Sequence, residues 1–182
     1  MKKAYVILAE GFELIEAMTP VDVLKRCEVE VETVSITGDL DVASSQGVVV
    51  RADKLFKAEE LGDGDMFILP GGYPGYENIA GHKGVMELAK HYLDKNRYLA
   101  AICGAPLALA KAGLLTGRKV TSHFTVREAL KEAEFIEGSV VVDGKLITST
   151  GAGRSLEFSL VLGEILTSEE VLKKVKKGMT LI

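Results

Sequence analysis

The sequence has little cysteine, and this excludes two classes of protein. Its 182 residues include only Cys27 and Cys103, which cannot build the disulfide framework of a small secreted domain. No Cys-x-x-Cys spacing is present, so the pattern does not indicate a zinc site. A reducing cytoplasm is the simplest location for such a chain.

Long apolar runs and a strong charge of one sign are also missing. No run approaches the roughly 20 apolar residues of a membrane span, and the start MKKAYVILAEGFE turns acidic too early for a signal peptide. The net charge is −4 with both signs interspersed, which gives no electrostatic footprint for nucleic acid. We therefore expect neither a membrane nor a nucleic-acid partner. With no repeats or linkers visible, residues 1–182 are predicted to form a single domain.

Short apolar runs alternate along the chain with amphipathic segments. The runs predicted as strands are Tyr5–Ala9, Val31–Ile36, Met66–Leu69 and Leu99–Cys103. The segments with helical spacing are Ile15–Arg26, Val85–Lys95, Pro106–Ala112 and Ser155–Leu166, followed by a short charged helix. Most of the strands lack polar alternation, which indicates a parallel sheet buried on both faces. The prediction is an α/β sandwich with a mostly parallel sheet covered by helices on both sides.

Two turn signals break this alternation. Asp143-Gly144 lies between two apolar runs, which is the strongest short signal for a β-hairpin. Gln46-Gly47 before three valines indicates a second, smaller antiparallel excursion.

Polar or small residues follow each predicted strand at its carboxyl end. The segments that follow the strands are Glu10–Glu16, Pro70–Gly75, Cys103–Pro106, Thr121–His123 and Gly151–Gly153. Ligands of open α/β sheets bind beyond the carboxyl ends of the strands. A carboxylate, a double glycine, a thiol and an imidazole are therefore expected to meet at one edge.

Cys103 lies where a buried strand changes into a helix, with the small residues Gly104 and Ala105 after it. Such a corner often strains the central residue and raises its side chain out of the surface. A helix N-terminus favours the thiolate and can bring a thiol pKa down to roughly 3.5–7.5. The position alone leaves two readings open, an inert buried thiol or a nucleophile. Cys27 lacks polar loop partners and is predicted to be structural.

Three further positions have chemistry suited to this edge. Gly71-Gly72 can turn backbone N–H groups toward a cleft, as an oxyanion hole requires. Glu16 opens a helix and either compensates the helix dipole or, if buried, becomes a protonated carboxyl beside the thiol. His123 can act as a general base or through another group. No acidic partner for it is fixed by spacing.

The motifs ILAEGFELIEAMTPVDVLKR, ILPGGYPGYENI, LAAICGAPLALAKAGLLTGRKVTSH and ITSTGAGRSLEFSLVLGEIL resemble, in order and spacing, the ThiJ/PfpI superfamily. Within it they are similar to the Parkinson-disease-protein (DJ-one) clade. The resemblance covers essentially the whole chain and implies a flavodoxin-like three-layer sandwich that forms a homodimer.

The resemblance also implies roles for the candidate residues. Cys103 would be the reactive cysteine on its nucleophile elbow, Glu16 the protonated carboxyl beside it, and His123 the nearby histidine. Gly72 would be a backbone donor. Together with Gly71 and Gly104, it forms the predicted set of oxyanion and substrate-binding residues.

Departures from the family pattern refine these expectations. Gly104 follows the cysteine where the intracellular proteases of the superfamily carry histidine, so a peptidase triad is not expected. Arg26 fits one of the positions whose arginines bind the oxidised cysteine. Gln46 stands where the family pattern has another such arginine.

Three functions follow from the residues and the resemblance. The first is a glyoxalase or deglycase that needs no external cofactor and no metal, in which Cys103 adds to methylglyoxal or to a glycated adduct. The second is a redox sensor or stress chaperone that uses oxidation of Cys103. The third is a non-catalytic interaction module on the same fold.

Overall fold

The computed structural model describes residues 1–182 and contains eleven strands and six helices. The strands are β1 (Lys3–Leu8), β2 (Glu30–Ser35), β3 (Asp41–Ala43), β4 (Val49–Arg51), β5 (Lys54–Leu55), β6 (Met66–Leu69), β7 (Tyr98–Ile102), β8 (Lys119–Val120), β9 (Glu134–Phe135), β10 (Val140–Asp143) and β11 (Leu146–Ser149). The helices are α1 (Leu14–Arg26), α2 (Gly75–Gly81), α3 (Lys83–Asp94), α4 (Ala105–Lys111), α5 (Ser155–Leu166) and α6 (Glu169–Gly178).

Seven strands form one sheet in the order β10-β11-β7-β6-β1-β2-β5. All neighbours pair in parallel except β10 and β11, which form an antiparallel hairpin. The hairpin turns at Asp143-Gly144, where Gly144 has φ 61°, so the predicted hairpin is confirmed. The small antiparallel pair β3–β4 confirms the excursion predicted at Gln46-Gly47.

Helices cover both faces of the sheet and divide the core into two layers. In β1, Ala4, Val6 and Leu8 face the layer that contains α1, α5 and α6. Tyr5 and Ile7 face the layer that contains α2, α3 and α4. Every residue of β6 is buried, which explains why the strand reads as a continuous apolar run. The predicted α/β sandwich with a mostly parallel sheet is therefore confirmed.

Two elements differ from the sequence prediction. Helix α2 was not predicted, because its seven residues begin and end with glycine, a weak helix former. Strand β8 pairs only with β9, in a separate two-stranded sheet. The loop that carries His123 is therefore not joined to the main sheet by strand pairing. It contacts that sheet through other bonds, including the one from the Thr121 N–H to Thr148 Oγ1 at 2.9 Å.

Candidate active site

Cys103 occupies a backbone corner directly after β7. Its φ is 64°, in the left-handed region that residues with a Cβ seldom adopt. Its N–H donates to the carbonyl of Ser149 and its own carbonyl accepts the N–H of His123, both at 2.9 Å. These bonds hold the strained residue from both sides, and helix α4 starts two residues later, at Ala105. The predicted strained backbone corner is therefore confirmed at Cys103.

Glu16, in the first turn of α1, is fully buried beneath this corner. Its Oε2 accepts the Gly71 N–H at 2.9 Å. Its Oε1 has no hydrogen-bond partner within the chain, and the nearby Cys103 thiol influences the pKa of the carboxyl. The start of α1 fixes this orientation, because Glu13 Oε2 accepts the Glu16 N–H at 2.8 Å. Glu16 is therefore a buried partner of the thiol.

The ionisation of the Glu16 carboxyl is coupled to that of the Cys103 thiol. Burial raises the pKa of Glu16 to about 7. Burial, together with the neighbouring Glu16 carboxylate, raises the pKa of Cys103 to about 12. The first proton therefore leaves the pair near neutral pH, and a second loss would place two negative charges side by side. Above that pH the site holds one negative charge, and a charge on sulfur requires a protonated Glu16.

The expectation that the helix start alone gives Cys103 a low pKa is wrong while Glu16 is ionised. The backbone N–H groups of Gly72 and Gly104 donate toward the sulfur and lower the pKa of the thiol, but burial and the carboxylate outweigh them. Once Glu16 takes up the proton, the repulsion is removed; burial still opposes the thiolate, and the two N–H groups favour it.

The three predicted glycines have different roles. The backbone N–H groups of Gly72 and Gly104 lie near enough to the sulfur to lower the pKa of the thiol, and their role as oxyanion donors stays a prediction. Gly71 makes no such contribution, because its N–H is already bonded to Glu16; its prediction as an oxyanion donor is wrong. A Cβ on Gly71 would lie 2.6 Å from both Cys103 Cβ and Glu16 Oε2. Gly71 thus permits the close approach of these two side chains.

His123 lies beside the thiol but is held by another residue. Its Nδ1 is 2.8 Å from Thr125 Oγ1. A Cβ on Gly151 would lie 3.4 Å from His123 Cδ2, 3.8 Å from Cys103 Sγ and 3.9 Å from Glu16 Oε1. The three predicted side chains therefore surround one small space, and Gly151 leaves that space open. The Nε2 atom of the His123 ring makes no hydrogen bond within the chain.

Arg26 does not lie at the thiol of its own chain, and its role as a stabiliser of the oxidised cysteine stays a prediction. It is the last residue of α1, ten residues after Glu16, which is about 15 Å along the helix axis. Its Nε bonds both carboxylate oxygens of Asp22 at 3.0 Å.

One residue of the site was not predicted. The Tyr76 ring lies against Gly104, where a Cβ would be 2.6 Å from Tyr76 Cε1 and 2.8 Å from Cγ. Tyr76 belongs to α2, the helix absent from the sequence prediction. Cys27, in contrast, is buried and its pKa is raised by burial alone, as expected for a structural thiol.

The fold and the site define a class, a flavodoxin-like sandwich with a strained cysteine elbow paired to a buried carboxyl. The DJ-1/PfpI family profile matches residues 2–165, so the chain belongs to the DJ-1/PfpI family. The Parkinson disease protein 7 homolog of Danio rerio is 35% identical over 99% of this chain and 97% of its own length.

Two further relatives bear on fold and function. The crystal structure of Drosophila melanogaster DJ-1beta superposes with a TM-score of 0.93 at 33% identity, covering 98% of this chain and 97% of the other. The glutathione-independent glyoxalase DJ-1 of Schizosaccharomyces pombe is 29% identical over the full length of both chains. The chain is therefore a DJ-1-type protein, and one of its relatives is named as an enzyme.

Proposed function

We propose that the protein is a cofactor-independent glyoxalase that acts on methylglyoxal and on related glycated adducts. The observation that carries this proposal is the close approach of the strained Cys103 and the fully buried Glu16, since a Cβ on Gly71 would lie 2.6 Å from both side chains. A relative named as a glutathione-independent glyoxalase supports the same chemistry.

The reaction begins when the Cys103 thiolate adds to the aldehyde carbon of methylglyoxal. The new C–S bond gives a hemithioacetal, and its oxygen takes the proton that Glu16 held. The N–H groups of Gly72 and Gly104 stabilise the negative charge that develops on this oxygen.

The hydrogen on the aldehyde carbon then leaves as a proton and returns to the neighbouring ketone carbon. This transfer oxidises the aldehyde carbon to a thioester and reduces the ketone to an alcohol, so no external oxidant or reductant is needed. Glu16 and His123 are the groups positioned to move these protons. Water then cleaves the thioester and releases lactate and the free thiol.

Lactate formation from methylglyoxal tests the proposal. We expect Cys103→Ala to abolish turnover and Glu16→Gln to lower kcat by at least about a hundredfold. Cys27→Ala is the matched control and should keep its activity, because Cys27 is outside the site. Absence of turnover in the wild type, with a thiol that still reacts with iodoacetamide, would refute the enzyme assignment.

A second candidate function is redox sensing at Cys103. Cys103 is half-buried whereas Cys27 is buried, so peroxide has access to one thiol in preference to the other. Attack of the thiolate on hydrogen peroxide gives a sulfenic acid and water. Mass spectrometry under mild peroxide should find the mass gain on Cys103, and equal modification of both cysteines would exclude this role.

We also propose that the protein is a cytoplasmic homodimer. Ile15, Val48 and Val49 are 47%, 45% and 60% exposed. Their two segments are joined by a hydrogen bond in which Gln46 accepts the N–H of Leu14, the first residue of α1. These side chains form an apolar surface suited to a second copy. Sedimentation velocity should show a dimer for the wild type and for Val142→Lys, and a monomer for Val49→Lys.

No helix has the length and hydropathy to cross a membrane.

A further inference from the structure

A surface cavity of about 700 Å³ adjoins the site through two shared residues. Its lining includes His123 and Gly151, the two residues that border the space around Cys103 Sγ and Glu16 Oε1. The volume lies in the range of pockets that enclose drug-sized ligands. Methylglyoxal would fill only a small part of it, so the cavity has room for a larger substrate body attached to the aldehyde.

The lining of this cavity includes the aromatic rings of His123, Phe124 and Phe135. Phe124 is 77% exposed, and its ring centroid is 4.2 Å from that of His123. On the same wall, the Arg127 guanidinium carbon lies 4.3 Å from the ring centroid of Phe135. Aromatic faces and stacked guanidinium groups favour an aromatic guest. A ligand that covers this exposed ring would bury its apolar surface, which favours binding.

Charge does not select the guest in this cavity. Arg127 already pairs with Glu137 at 2.6 Å, and Arg154 lies 3.4 Å from Glu157. Each arginine of the lining therefore faces a carboxylate, which leaves no uncompensated positive charge to favour a free anion. Ring stacking is the interaction that the cavity offers most directly.

We propose that this cavity is an aryl-binding subsite, and that the protein prefers aryl 2-oxoaldehydes such as phenylglyoxal to methylglyoxal. Turnover of these substrates rests on the proposed glyoxalase function, whereas binding of an aryl group does not. The steps are those given for methylglyoxal. The thiol adds to the aldehyde, hydrogen moves from the aldehyde carbon to the ketone carbon, and water releases mandelate instead of lactate.

Binding of the two hydroxy acids tests the subsite without any turnover. Mandelate carries the aryl group and lactate a methyl group, so the ratio of their dissociation constants by NMR titration measures the subsite alone. We expect mandelate to bind about tenfold more tightly than lactate. Phe124→Ala should reduce this ratio about fivefold or more, whereas Phe124→Tyr, which retains the ring, should preserve it. Val142→Ala is the control, because Val142 is 51% exposed but lies outside the cavity.

Equal affinity for the two acids, no detectable mandelate binding, or a ratio unchanged in Phe124→Ala would overturn the subsite. Initial rates with phenylglyoxal and methylglyoxal then separate the two proposals. Turnover of methylglyoxal without a preference that depends on Phe124 leaves the glyoxalase and removes the subsite. Mandelate binding that depends on Phe124, with no turnover of either aldehyde, keeps the subsite and removes the glyoxalase.

Discussion

At the scale of single residues, the site depends on a glycine that does no chemistry itself. Gly71 lies between the thiol-bearing residue and the buried carboxyl, and its N–H fixes Glu16 Oε2. A methyl group there would also lie 3.0 Å from the carbonyl oxygen of Ile102, the residue that ends β7. The distance between the two reacting groups is therefore set by the absence of a side chain.

Gly71→Ala should separate Cys103 from Glu16. We expect activity to fall by at least about a hundredfold, since a displacement of about 1 Å has that effect on a catalytic geometry. The free energy of unfolding should fall by about 1–3 kcal/mol because of overpacking. Lactate assays and urea unfolding measure the two effects.

Gly81→Ala is the control for this substitution. No atom lies within 4 Å of a Cβ at that position, and its φ is not in the left-handed region. It should retain both activity and stability. Full activity in Gly71→Ala would show that the spacing of the pair is not critical.

At the scale of elements, the sequence predicts the sheet and most helices because burial leaves a direct mark on residue type. Strand β6 is predicted with its observed ends, since every residue in it is buried, and α5 also matches from Ser155 to Leu166. The conformation of Cys103 leaves no such mark, because a φ of 64° results from bonds to Ser149 and His123, which are distant in sequence.

The position of Arg26 relative to Cys103 is hidden from the sequence for a similar reason. A resemblance matches Arg26 to a position in a motif but does not give its distance from Cys103. The helix between Glu16 and Arg26 carries the two side chains to opposite ends of one element. The burial of Glu16, which decides between its two predicted roles, likewise becomes visible only when α1 is packed on the sheet.

The start of α1 gives a prediction at this scale. Glu13 caps the helix by accepting the Glu16 N–H, and its other oxygen accepts a bond from Gln46 Nε2 at 3.1 Å. Glu13→Ala should lower the free energy of unfolding by about 1 kcal/mol. Because the cap also orients Glu16, lactate formation should fall about fivefold to tenfold.

Ser168→Ala removes a comparable cap from α6, where Ser168 Oγ accepts the Val171 N–H at 3.4 Å. No residue of α6 belongs to the site, so this variant should lose similar stability and keep its activity. Equal loss of activity in Glu13→Ala and Ser168→Ala would assign the effect to stability and contradict the positioning role of Glu13.

At the scale of the whole molecule, Glu16 links folding to pH. Burial raises the pKa of its carboxyl from the ordinary 4.5 to about 7 in the folded protein. Between these values the folded state binds more protons than the unfolded state, so stability falls as the pH rises. The loss starts near the unfolded pKa and is complete above the folded pKa.

The Cys103→Ala background isolates this effect, because the thiol no longer shares the proton. The hydrogen bond with Cys103 lowers the pKa of Glu16, so removal of the thiol should leave that pKa raised. In Cys103→Ala, Glu16 should account for a loss of about 2–3 kcal/mol in the free energy of unfolding between pH 5 and pH 8. The double variant with Glu16→Gln has no carboxyl to ionise at this position and should lack that loss.

Urea unfolding of both proteins at the two pH values measures the difference directly. The same pH dependence in both proteins would show that Glu16 is ionised in the folded state at little cost, and the buried carboxyl would then be unable to hold the proton that the thiolate requires.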